Sequence, residues 1–104
     1  MDQLSDKAKI IYATLDMLEA KGETNAVNAY TILNYIEENE ELQEHNLLSD
    51  ISEVEFVNLI MELNIKGVNT LIASMCRKEL LGKTDAHITK VEGQRRKLRD
   101  YYIK

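Results

Sequence analysis

Residues 68–104 read VNTLIASMCRKELLGKTDAHITKVEGQRRKLRDYYIK, and a change of rhythm inside this stretch decides the fold. Up to Leu81 the apolar residues Val68, Leu71, Ile72 and Met75 recur at helical spacing, with Asn69, Thr70, Ala73 and Arg77 on the opposite face. After Gly82 the period falls from about 3.6 to about 2. AHITKV (86–91) and KLRDYYI (97–103) are short runs rich in β-branched residues and tyrosine, the composition of strands. Between them lies EGQRR (92–96), with Gly93 available for the positive φ that a hairpin turn needs. The stretch therefore predicts a helix over about 65–81 and then a hairpin over about 86–103 with a basic tip.

Upstream, the chain reads as three more helices. Ser5-Asp6 can cap the first, whose stripe is Ile11, Leu15 and Leu18 and which Gly22 is placed to end. Thr24 or Asn25 can cap the second, about 25–39, with Ala29, Ile32, Leu33 and Ile36 facing inward. Residues 42–51 carry no clear pattern. Ser52 and Glu55 form a capping box for a third helix, about 53–63. That helix is apolar apart from a narrow stripe at Glu55, Asn58 and Glu62, which predicts a cylinder buried on most of its circumference.

Charge is divided along the chain. Through Ile65 three basic residues stand against fourteen acidic ones, a balance of −11; from Lys66 onward ten stand against four, a balance of +6. The net charge of −5 hides a basic C-terminal part that phosphate would meet locally. The 104 residues, 44% hydrophobic and 30% charged, fit one soluble domain with one modest core. There is no proline and no low-complexity linker to mark a boundary. The single cysteine, Cys76, excludes an internal disulfide framework and suits a reducing compartment. The first residues, MDQLSDKAK, hold no apolar signal core, and no apolar run reaches the roughly 20 residues of a membrane span. A cytoplasmic protein with no membrane partner is expected.

Three or four helices and then a hairpin is the order of a winged helix. The segment 68–84 resembles the recognition helix of winged helix-turn-helix DNA-binding regulators, including the MarR-type ones. The buried β-branched start falls on Val68, the small polar pair on Asn69-Thr70, the aliphatic pair on Leu71-Ile72, the basic stretch on Arg77-Lys78 and the exit on Leu80-Leu81. VEGQRRKLRDYYI (91–103) resembles the wing. The likeness covers about residues 53–104. It departs from the family at Asn58 and Glu62, where a small residue and a turn glycine are usual, and at Glu79, where glycine is common. It implies an α+β, mainly α chain: N-terminal acidic helices over 1–52, helix-turn-helix over 53–81 and wing over 82–104, all in one domain.

The resemblance also implies a function, sequence-specific binding of double-stranded DNA by a small regulator of bacterial or phage type. A helix fits the major groove and meets base edges with its N-terminal half. Asn69 and Thr70 are the base-reading candidates, beside Ala73. Lys66 suits a phosphate near the positive end of the helix dipole, and Arg77 can reach a guanine edge or the backbone. Lys90, Arg95, Arg96 and Lys97 would place the wing on phosphates or in a minor groove. A homodimer through the N-terminal helices is expected, since paired recognition helices double the contacts.

Bland readings stand beside these. A basic turn can be merely solvated, and Asn69 and Thr70 can be ordinary surface residues. The acidic run Glu37–Glu44 reads first as a solvated helix face and second as a surface for a basic protein partner. One of Tyr101 and Tyr102 should pack inward, and Cys76 reads as a small buried thiol. The alternative function is a winged-helix protein-interaction module that docks a basic partner on its acidic half, because fold alone does not select between the uses. No enzyme is expected. His45 and His87 are isolated in sequence, no cysteine cluster has metal-ligand spacing, and GxSxG, Walker and GxGxxG motifs are missing. No cofactor is implied.

Overall fold

The computed structural model describes residues 4–104. Four helices are followed by antiparallel strands: α1 (Asp6–Met17), α2 (Ala29–Glu38), α3 (Glu53–Glu62), α4 (Ile65–Arg77), β1 (Leu81–Lys83), β2 (His87–Val91), β3 (Gln94–Leu98) and β4 (Tyr101–Ile103). The chain is thus α+β and mainly helical, with a C-terminal hairpin, an architecture compatible with a winged helix. No helix among the described residues is long and apolar enough to cross a membrane.

The core is built by α1, α2 and α4, which pack against one another. Ile10, Ile11 and Leu15 of α1, Ile32 and Ile36 of α2, and Val68, Ile72 and Met75 of α4 are its buried side chains. Residues 42–51, which carry no clear pattern, and the end of the acidic run Glu37–Glu44, expected on a helix face, lie beyond α2, which stops at Glu38; they form two short 3-10 turns, Glu40–Glu44 and Asn46–Leu48, against α1. Leu42, Leu48 and Ile51 anchor them in the core. His45 is not isolated in space. Its Nε2 donates to Asp16 Oδ2 at 2.7 Å, and its Nδ1 accepts the Leu47 N–H at 3.1 Å.

The helix ends differ from expectation in instructive ways. Ser5 caps α1, its Oγ accepting from the Ala8 N–H at 3.2 Å. The helix stops at Met17, short of Lys21, because Glu19 turns left-handed (φ 56°) and the Ala20 N–H reaches back to the Leu15 carbonyl at 2.9 Å. Gly22 does not end α1; it enters the turn at 23–25. Asn28, and neither Thr24 nor Asn25, caps α2. Ser52 caps α3 as the capping box requires. Helix α4 starts on Asn64, whose Oδ1 accepts from the Gly67 N–H at 2.8 Å. It ends at Arg77, short of Leu81, because Glu79 sits at φ 61° and the Leu80 N–H bonds the Met75 carbonyl at 3.0 Å. Glu79 therefore holds the backbone conformation that glycine commonly supplies at this exit. Glu79→Gly should relieve that conformation and raise stability by about 1 kcal/mol, read as the denaturation midpoint at unchanged slope.

The largest departure is α3. An almost wholly apolar helix was expected to be buried, yet only Phe56 within it is, with Leu63 just beyond its end. Val54, Val57 and Met61 remain 71%, 49% and 78% exposed. With α1, α2 and α4 already closed on one another, α3 can present only one edge to the core.

Asp16, held by His45 and then by Lys21 (3.0 Å), has its carboxyl below the ordinary value of 3.8. A lowered carboxyl stabilises the fold above its unfolded value, and the contribution disappears as pH falls through the folded one. Asp16→Asn should therefore lose less stability than the parent chain between about pH 5 and about pH 2, measured by urea titration at each pH.

Candidate nucleic-acid interface

Val68, Ile72 and Met75 of α4 point into the core, so the 3.6 period turns Lys66, Asn69, Thr70, Ala73 and Arg77 outward, and all five are exposed. The helix has thirteen residues, about 20 Å, and carries no acidic side chain. The Thr70 hydroxyl donates to the Lys66 carbonyl at 3.0 Å, which fixes its rotamer and leaves its oxygen free to accept. Before this helix the chain passes through extended Leu63 and Asn64 and makes no glycine turn.

At the C-terminal end of α4 the structure adds residues that the sequence reading missed. Ala73 and Arg77 line an open groove with Lys83 of β1 and with Tyr102 and Lys104, one in β4 and one just after it. The pairing of β1 with β4, Leu81 opposite Ile103 and Lys83 opposite Tyr101, brings these distant positions to the helix. Gly82 lies beneath the Tyr102 ring, which occupies the space a Cβ would need. Tyr101 exchanges both backbone hydrogen bonds with Val27, at 2.7 and 3.0 Å, and burial pushes its phenol up. Burial also pushes the Cys76 thiol up, with Lys83 and Lys104 opposing more weakly. Cys76 is therefore a protonated packing residue at neutral pH.

The wing is a two-residue hairpin turning on Glu92 (φ 50°) and Gly93 (φ 80°), the signs of a type I′ turn. The expected basic tip is corrected by this register. Arg95, Arg96 and Lys97 belong to β3, and the tip itself is Glu92-Gly93. Pairing sets Ile88 opposite Lys97, Thr89 opposite Arg96 and Lys90 opposite Arg95. Side chains alternate across a strand, so Ile88, Lys90, Arg95 and Lys97 share one face and Arg96 takes the other. There its guanidinium lies over the Tyr30 ring of α2, 5.6 Å from the centroid. Arg96 thus holds the wing against the body, while Lys90, Arg95 and Lys97 point to solvent without an ion-pair partner among the described residues.

The last run, KLRDYYI, is two strands and not one. It breaks at Arg99-Asp100, where a polar neck is tied across the hairpin base. The Thr84 N–H donates to the Asp100 carbonyl at 2.9 Å, and Thr84 Oγ1 accepts from the Asp100 N–H at 3.0 Å. Arg99 donates to the Thr84 carbonyl at 2.9 Å, and His87 Nε2 meets Asp100 Oδ2 at 2.9 Å. These bonds fix the direction in which the wing leaves the domain.

The acidic residues gather elsewhere. Glu40, Glu41, Glu44 and Glu53 border one depression, and Glu37, Glu40 and Glu53 rim a neighbouring groove floored by Ile36, Phe56, Val57 and Ile60. Among the described residues, no three His, Cys, Asp or Glu side chains are placed to hold a metal ion. No family description, curated protein or solved structure matches this chain.

Proposed function

We propose that this protein binds duplex DNA sequence-specifically as a small winged-helix regulator of bacterial or phage type. It acts in the cytoplasm and without catalysis. The observation that carries the reading is the outward face of α4. Lys66, Asn69, Thr70, Ala73 and Arg77 form one exposed stripe without a carboxylate, and its Arg77 end opens onto Lys83 and Lys104. Such a stripe can enter the major groove, with short polar groups toward base edges and cations toward phosphates. Lys90, Arg95 and Lys97 add a second basic surface, suited to backbone contact.

Gel shifts against random duplex DNA at low and moderate salt test the reading, and selection from a random pool then supplies a preferred site. Asn69→Ala should cost about 1–3 kcal/mol at that site and little on random DNA. Equal losses on both would assign Asn69 to phosphate contact or to helix integrity. The reading includes a homodimer through the N-terminal helices; since Ile10, Ile11 and Leu15 of α1 are buried inside the monomer, such a pairing would use the outer faces of these helices.

A second reading, a protein-docking module, is favoured by the acid-rimmed apolar groove beside α3. A chain that leaves random and selected DNA unbound at low salt would make that reading the better one.

A further inference from the structure

Four large apolar side chains are exposed among the described residues: Val54, Val57, Met61 and Ile88. The first three lie along one side of α3, because positions 54, 57 and 61 fall within about a quarter turn of the helix. Val57 also borders the groove floored by Ile36, Phe56 and Ile60, so groove and stripe form one apolar surface. Its groove side is rimmed by Glu37, Glu40 and Glu53. The fourth, Ile88, stands on the wing at 71% exposure, on the same face as Lys90, Arg95 and Lys97. The α3 region thus presents an apolar groove edged with carboxylates, and the wing presents an apolar residue accompanied by cations.

We propose that the wing of one copy docks, through Ile88 and its three cations, into the acid-rimmed α3 groove of a second copy. The charges select this pairing. Two α3 grooves set face to face would bring like-charged rims together, and two wings would do the same with cations. Wing on groove places opposite charges around a shared apolar contact. Such an interface uses different patches on the two partners, so each bound copy still offers a free wing and a free groove. Association is then head-to-tail and open, unlike a two-fold dimer that closes on itself. The contact is small and charged, which makes it weak and salt-sensitive. The proposal stands without the DNA reading.

Sedimentation of the intact chain at protein concentrations up to about 100 µM, with about 50 mM and about 300 mM salt, should show species larger than dimer at low salt and fewer at high salt. Val57→Lys spoils the groove and Ile88→Glu spoils the wing; both positions are exposed, so both variants should fold. Each alone should associate at least about tenfold more weakly. Mixed in equal amounts, they should form a one-to-one dimer and nothing larger, because the mixture contains one intact groove and one intact wing. A parent chain that stays monomeric at low salt would overturn the proposal. So would an Ile88→Glu variant that dimerises like the parent, which would assign the contact to α3 against α3. A mixture that stays monomeric while the parent associates would overturn it too.

Discussion

Replacing Lys90, Arg95 and Lys97 together with alanine is expected to weaken binding to every duplex alike and to flatten its salt dependence. The three share one face of the wing, and all are exposed. If each neutralises a phosphate, the slope of log K against log salt should become shallower by about 0.9 per residue, roughly 2.7 in all. At 0.1 M salt that corresponds to a loss of affinity on the order of a hundredfold or more. Fluorescence anisotropy at four or five salt concentrations measures both quantities. Stability should change by less than about 0.5 kcal/mol per position, because none of the three side chains is packed. Arg96→Ala should behave differently. Its side chain lies over Tyr30 on the opposite face, so its loss should loosen the wing and change the slope little. An unchanged slope in the triple variant would remove the wing from the interface.

The second large effect is on folding. Ile72 is fully buried on the inner face of α4, against the helices that complete the core. Ile72→Ala should cost about 2–5 kcal/mol, the transfer free energy of the lost methyl groups plus that of the cavity left behind. In a chain of this size each kcal/mol lowers Tm by roughly 4–8 °C, so a fall of 10 °C or more is expected in a thermal scan. Met61→Ala is the control. Met61 is 78% exposed, and its loss should stay within about 0.5 kcal/mol. Comparable losses at both positions would mean that α3 is packed far more tightly than its exposure indicates.

Much of the local structure was legible. The start of α1 at Ser5 and of α3 at Ser52 followed from short polar side chains that can accept the free N–H groups of a first turn. The change of period after Gly82 placed the strands, and Gly93 marked the turn. The outward set on α4 followed from the same periodicity that assigned its core face, since a helix with a known inner stripe has a known outer one. Helix ends were less legible. Glu19 and Glu79 adopt the left-handed conformation that sequence reading reserves for glycine or asparagine, because the reach-back bonds at 2.9 and 3.0 Å offset the strain.

By itself, then, the sequence determined the four helices, the hairpin and the faces of α4, because caps, turns and apolar period act between residues a few positions apart. Three matters were left to tertiary structure. Which helices close the core is a choice among partners: α1, α2 and α4 satisfy one another and leave the most apolar helix, α3, at the edge with Val54, Val57 and Met61 in solvent. Which wing cations face outward depends on strand register, where a shift of one residue exchanges the two faces; the observed register frees Lys90, Arg95 and Lys97 and turns Arg96 onto Tyr30. The company Arg77 keeps comes from the pairing of β1 with β4, which closes a loop of about twenty residues to set Lys83 and Lys104 beside it. Each of these outcomes follows from contacts between segments far apart in the chain, and no local pattern encodes which segment meets which.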